Sequence, residues 1–135
     1  MPLRKKILLA EDYADIRQMT RMMLETFGFE VIEAADGYEA IEMAKLTHPD
    51  VVLMDIAMPI LNGITAASMI QQLDGCGNIP IIAVTAYGKQ YVEEASEYGF
   101  DAVIEKPIDM DELKLVVESR LNGAVDPSSE RLKTL

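Results

Sequence analysis

Apolar residues along the chain follow two rhythms that alternate from end to end. Ile7-Leu8-Leu9-Ala10, Val31-Ile32, Val51-Val52-Leu53-Met54, positions 79–85 and Ala102-Val103-Ile104 are short runs of consecutive, mainly apolar residues. A strand covered on both faces has this character, since both sides of its pleat meet apolar neighbours. The stretches between the runs carry a helical period. Ile16, Met19, Thr20, Met23, Leu24 and Phe27 recur at helical spacing, with Asp15 near the start and Gly28 just past the end, the marks of a capped amphipathic helix. A second helix runs from about Tyr38 with Ala40, Ile41 and Ala44 on one face, and His48-Pro49 closes it, because a residue before proline avoids the helical region. Asn62-Gly63 is a turn signal opening a third helix with Ile64, Ala67, Ile70 and Leu73, and positions 74–78 form a loop. Pro80 sits at the first residues of the fourth run, where a missing N–H is tolerated. A weaker helix is expected over 89–98, with Val92 and Ala95 as its apolar stripe, and a final one carries Leu113, Val116, Val117 and Leu121.

Five strand-like runs, each followed by a helical stretch, predict an α/β fold with an open parallel sheet covered on both faces. The length of 135 residues allows one domain, and an eight-stranded barrel would need about 250. The expected domain spans residues 1–121, and 122–135, with Gly123 and Pro127-Ser128-Ser129, reads as a tail or linker stub. Acidic residues outnumber Lys and Arg by 23 to 12, a net charge of −11. Such a chain is repelled by phosphate backbones and anionic membranes, and its apolar runs are far shorter than the roughly 20 residues needed to span a bilayer, so direct nucleic-acid binding and membrane insertion are not expected. With one cysteine, Cys76, and one histidine, His48, there is no internal disulfide and no Cys/His metal cage. Cys76 is expected in a loop and His48 in a connection. The nine methionines, Met19, Met22 and Met23 among them, read as adaptable packing. A cytoplasmic setting is expected.

In a parallel sheet of this kind ligands bind beyond the carboxyl ends of the strands. Reading off those ends gives Glu11-Asp12, Asp55, Thr85 and Lys106. Three carboxylates crowded together are hard oxygen ligands that call for a cation such as Mg²⁺, which keeps several waters and completes its shell with phosphate oxygens. Lys106 is a mobile point charge able to reach a phosphoryl oxygen, or to pair with Asp55 when none is present. Thr85 offers a hydroxyl donor, and Asp55 is a candidate nucleophile, since carboxylates form acyl phosphates. Phosphoryl transfer needs mainly positioning and charge neutralisation, which this set supplies.

Glu11-Asp12, Leu53-Met54-Asp55-Ile56-Ala57-Met58-Pro59 with Asn62-Gly63, Val84-Thr85-Ala86 and Lys106-Pro107-Ile108 together resemble the receiver domain of two-component response regulators, over residues 5–121. The resemblance implies a flavodoxin-like (βα)5 fold, doubly wound, with strand order 2-1-3-4-5. It implies Asp55 as phosphoacceptor, and Mg²⁺ held by Glu11, Asp12, Asp55 and the Ala57 carbonyl. Thr85 and Lys106 would contact the phosphoryl group, and the Lys106-Pro107 bond would be cis, proline being where cis costs least. The implied partners are a sensor histidine kinase or histidine phosphotransfer protein and a downstream protein target. Binding would switch through the Thr85 loop and the face of the fourth helix, fifth strand and fifth helix, in a stand-alone, chemotaxis-regulator-like unit without turnover on a separate substrate.

One position departs from the family. Receivers often carry Tyr or Phe three residues before the lysine, and here Val103 occupies that switch position. Valine fills strand space but lacks a ring to swing; Phe100 and Tyr87 are candidates for part of that role. Ala57 and Tyr87 match positions that tune acyl-phosphate lifetime. Three competitors remain. Val103 is what a phosphorylation-independent interaction module would offer. A Mg²⁺-dependent phosphohydrolase usually needs a second acid where this chain has Ala57. A flavin-binding domain of the same topology wants Gly and Ser/Thr after the first strand, where this chain has acids.

Overall fold

Strand pairing places five parallel strands in the order β2-β1-β3-β4-β5: β1 (Lys6–Ala10), β2 (Glu30–Ala34), β3 (Val51–Asp55), β4 (Ile81–Thr85) and β5 (Ala102–Glu105). The structure is a computed structural model that describes residues 4–86 and 95–122. Among these residues lie four helices, α1 (Ala14–Thr26), α2 (Gly37–Thr47), α3 (Gly63–Gln71) and α4 (Met110–Leu121). The expected α/β architecture and strand order are those observed.

The register shows why the runs are apolar throughout. Leu8 pairs with Val52 and Val52 with Ile81; these side chains meet α2 and α3 in one core cluster with Ala40, Ala44, Ala66 and Ile70. The neighbouring row, Leu9, Leu53 and Ile82, belongs to a second cluster with Leu24 of α1 and Leu113 and Val117 of α4. Successive strand residues point to opposite faces, so each strand feeds both cores.

Local capping follows the sequence closely. Asp36, Asn62 and Asp109 each cap a helix, accepting from the backbone N of Glu39, Thr65 and Glu112 at 2.8, 2.9 and 2.9 Å. These bonds satisfy N–H groups that have no partner inside the helix. Gly28, at φ +94°, carries the chain out of α1, a conformation in which a Cβ is costly.

Several details differ from the sequence reading. Met19 and Met22 are 51% and 68% exposed. α1 rests on Thr20 and Leu24, and Met19 is rotated about 100° from Thr20 around the helix. Buried Thr20 satisfies its hydroxyl by donating to the Ile16 carbonyl at 2.8 Å. β4 begins at Ile81 rather than 79: the Ile79 N–H turns back to the Cys76 carbonyl, and Pro80 lends β3 only its carbonyl, 3.0 Å from Val52 N. His48 ends α2 in the left-handed region at φ 45°. Cys76 is fully buried in the α2–α3 core, and burial raises its thiol pKa above the usual range. Of the helix expected over 89–98, Ala95 is helical and Ser96–Tyr98 form a 3-10 turn. Residues 87–94, with Tyr87, and 123–135 of the tail lie outside the described residues.

Candidate functional site

β1 and β3 lie side by side, with Ala10 opposite Met54, so the residues following each strand emerge together. Glu11, Asp12 and Asp55 bring carboxylate oxygens within 4.8 Å of one another. Glu11 and Asp55 are buried at 3% and 4% exposure, and Asp12 is half-buried. The chain holds each in place. Glu11 N donates to the Ala34 carbonyl at 3.0 Å, and Glu11 Oε2 accepts from Tyr13 N at 3.2 Å. Asp55 Oδ1 accepts from Ala57 N at 3.1 Å.

Lys106 enters from the end of β5. Its Nζ lies 2.8 Å from Glu11 Oε1 and 3.0 Å from Asp55 Oδ2. Burial works against its charge, yet the hydrogen bonds to Glu11 and Asp55 outweigh that and hold its pKa above 10.5. Three carboxylates therefore face one ammonium in a partly dry cleft. Asp12 shows the imbalance. Burial, with Glu11 pushing the same way, raises its pKa above 3.8, and its Oδ1 is shielded from solvent with no hydrogen-bond partner among the described residues. An orphaned carboxylate oxygen among hard oxygen donors fits a divalent cation such as Mg²⁺.

Thr85 stands at the end of β4, buried, next to Val84, which pairs with Asp55. Its carbonyl accepts from Lys106 N at 2.7 Å, tying the ends of β4 and β5 together. The Lys106-Pro107 bond is cis. Val103 is not at the cluster. It pairs with Ala83 and packs, half-buried, against the α2–α3 core, where Phe100 is also buried.

Residues 7–118 match the family model of the response regulator receiver domain. The chain belongs to that family. It is 38% identical to the transcriptional regulatory protein PdtaR of Mycobacterium tuberculosis, over 96% of this chain and 67% of that one. It is 32% identical to the polar-differentiation response regulator DivK of Brucella ovis, over 89% of this chain and 98% of DivK. Among solved structures, the receiver domain of the sensor histidine kinase PA1611 from Pseudomonas aeruginosa PAO1 superposes with a TM-score of 0.83 at 30% identity, covering 90% of this chain and all of that one. That structure has a magnesium ion coordinated in its active-site cleft. Receiver domains are signalling modules of two-component systems that work with histidine kinases and downstream targets. No helix among the described residues is long and apolar enough to cross a membrane.

Two features of this receiver escape a linear reading. Arg17 of α1 donates from Nη1 to the Glu11 carbonyl at 2.8 Å and from Nε to Glu33 Oε1 at 3.3 Å. Gly63, legible as a turn residue, lies hard against the Asp55 backbone. Arg17 and Glu33 become neighbours only once α1 packs beside β2.

Proposed function

We propose that this receiver accepts a phosphoryl group on Asp55 from the phosphohistidine of a sensor histidine kinase or histidine phosphotransfer protein. In this reading Glu11, Asp12, Asp55 and the Ala57 carbonyl hold Mg²⁺. Residues 1–121 form the working unit, in the cytoplasm, with 122–135 as a tail. The observation that carries the proposal is the buried cluster itself: Asp55, 4% exposed, faces Glu11, Asp12 and the Lys106 ammonium.

A carboxylate oxygen of Asp55 forms the new O–P bond as the P–N bond of the donor breaks. The bonding pair stays with the imidazole nitrogen, which then takes up a proton from solvent. When bound, Mg²⁺ supplies positive charge against the phosphoryl oxygens. Lys106 exchanges its carboxylate partners for a phosphoryl oxygen, and the Thr85 hydroxyl donates to another. Exclusion of bulk water from Glu11 and Asp55 strengthens each of these interactions.

The signal leaves through Thr85. Its carbonyl bond to Lys106 N joins the end of β4 to the residue that follows β5, so a shift at one is felt at the other. Val103 contributes packing without a swinging ring. The face expected of the fourth helical stretch, β5 and α4 then changes its affinity for a downstream protein.

The test is intact mass after incubation with Mg²⁺ and a small acyl-phosphate donor, beside Asp55→Asn. A phosphoryl adduct in the wild type and none in the variant is the expected result. No adduct and no Mg²⁺ binding would overturn the proposal in favour of a phosphorylation-independent module, and multiple turnover on phosphate esters would point to a hydrolase.

Asp12 adds a pH dependence. The fold holds its proton more tightly than the unfolded chain does, so ionising it costs stability as pH rises from 3.8 through the raised value. A bound divalent cation offsets that cost. The stabilisation conferred by Mg²⁺ is therefore expected to grow as pH rises from 3.8 through that raised value, read as the shift in urea midpoint at each pH. A shift that stays constant across this range would remove Asp12 from the site.

A further inference from the structure

We infer that Arg17 is a positioning residue for the acidic loop, and that its clamp on the Glu11 carbonyl sets the Mg²⁺ affinity of the site. The inference rests on the reading of the cluster as a Mg²⁺-dependent phosphoacceptor site.

Glu11 is the point at which β1 ends and the chain turns towards α1. Its N–H is held by the Ala34 carbonyl and its side chain by Lys106 and Tyr13 N. What remains is its carbonyl, the oxygen of the peptide that leads into Asp12. A strand-end carbonyl that no ladder satisfies leaves that peptide plane free to rotate, and the next residue rotates with it. Arg17 Nη1 supplies the missing donor at 2.8 Å.

The donor is itself fixed. Arg17 Nε pairs with Glu33 Oε1 at 3.3 Å, while Glu33 Oε2 takes Arg21 Nη1 at 2.6 Å. Glu33 belongs to β2, where it pairs with Leu9 of β1. The guanidinium thus ties the Glu11–Asp12 peptide to rigid sheet rather than to solvent. A planar fork with two directed donors suits this task, and a lysine ammonium does not reproduce it. Arg17 touches no carboxylate of the cluster by any hydrogen bond among those described, so it acts through the loop. Arg21 shares Glu33 but among the described residues bonds only to Glu33 and Glu25, which makes it a control of matched chemistry.

Partners that orient metal ligands typically govern about 10- to 100-fold of metal affinity. Calorimetric titration of the full chain with Mg²⁺ should show Kd rising about tenfold in Arg17→Ala, with a smaller rise in Arg17→Lys and Glu33→Ala. The Arg17/Glu33 double variant should be no weaker than Arg17→Ala, because both changes break one clamp. Arg21→Ala, which leaves the Arg17 bond to the Glu11 carbonyl in place, should lose less Mg²⁺ affinity than Arg17→Ala. At saturating Mg²⁺ the rate of adduct formation from a small acyl phosphate should return to the wild-type value in Arg17→Ala. Amide exchange at Asp12 and Tyr13 should quicken without the metal. Unchanged Mg²⁺ affinity in Arg17→Ala, or an equal loss in Arg21→Ala, overturns the inference while the phosphoacceptor reading stands. Absence of Mg²⁺ binding in the wild type would overturn the phosphoacceptor reading, and the inference with it.

Discussion

Lys106→Ala is expected to destabilise the metal-free protein by about 2 to 3 kcal/mol and to leave Mg²⁺ binding intact or tighter. The ammonium is the one positive group within hydrogen-bond reach of both Glu11 and Asp55 among the described residues. Removing it leaves buried carboxylates facing each other, and uncompensated buried charge is costly because its desolvation is no longer offset. The expected cost falls below the roughly 3 to 5 kcal/mol of breaking a fully buried pair, because the lysine side chain keeps 18% of its exposure, enough to admit water. The pKa of Lys106 is raised in the fold, so its contribution is complete below 10.5 and disappears only as pH rises through the higher folded value. Neutral pH therefore reads the full effect. Mg²⁺ competes with the ammonium for the same oxygens, so saturating Mg²⁺ should recover most of the lost stability. Urea unfolding in chelator and in Mg²⁺ checks both halves. An equal loss in the two buffers would mean that Lys106 contributes by packing its stem, and that the acids do not need its charge.

Much of this site is legible in the linear chain, for a reason of geometry. In a parallel sheet every strand delivers its last residue to the same edge. Once the apolar runs are placed, the residue after each run assembles the constellation without any knowledge of distance. Asp55, Glu11, Asp12 and Lys106 are found that way, and the structure brings them together. Helix rotation is harder to read. The period of α1 marks Ile16 to Phe27 as one stripe, but the sheet accepts Thr20 and Leu24 and leaves Met19 outside. A hydroxyl that bonds its own helix is the better neighbour for a packed sheet than sequence polarity implies. Cys76 misleads for a related reason. Flanked by glycines it reads as loop, yet the turn is folded inward and the thiol fills space against α2. The Arg17–Glu33 clamp has no linear signal at all, because two charged residues 16 positions apart, one on a helix and one on the strand that follows it, are ordinary until packing makes them adjacent.

Gly63 separates space from backbone freedom, and Gly63→Ala is expected to cost about 3 kcal/mol, at the upper end of overpacking penalties. Its φ is not in the left-handed region, so any residue could adopt its backbone angles. The obstacle is what stands in front of it. A Cβ there would overlap the Asp55 carbonyl oxygen and lie 2.8 Å from Ile56 Cα. Both are backbone, and Gly63 N already donates to the Ile56 carbonyl at 2.9 Å. Relief has to come from moving the start of α3 or the end of β3, and the end of β3 is Asp55. The substitution should therefore injure the site as well as the fold: Mg²⁺ affinity falls along with the urea midpoint. Gly28→Ala is the contrasting control. At φ +94° with nothing within 4 Å of an added Cβ, it should lose about 1 kcal/mol from backbone strain alone and bind Mg²⁺ as the wild type does. Equal costs at the two glycines, or unaltered Mg²⁺ affinity in Gly63→Ala, would show that α3 does not fix the position of Asp55.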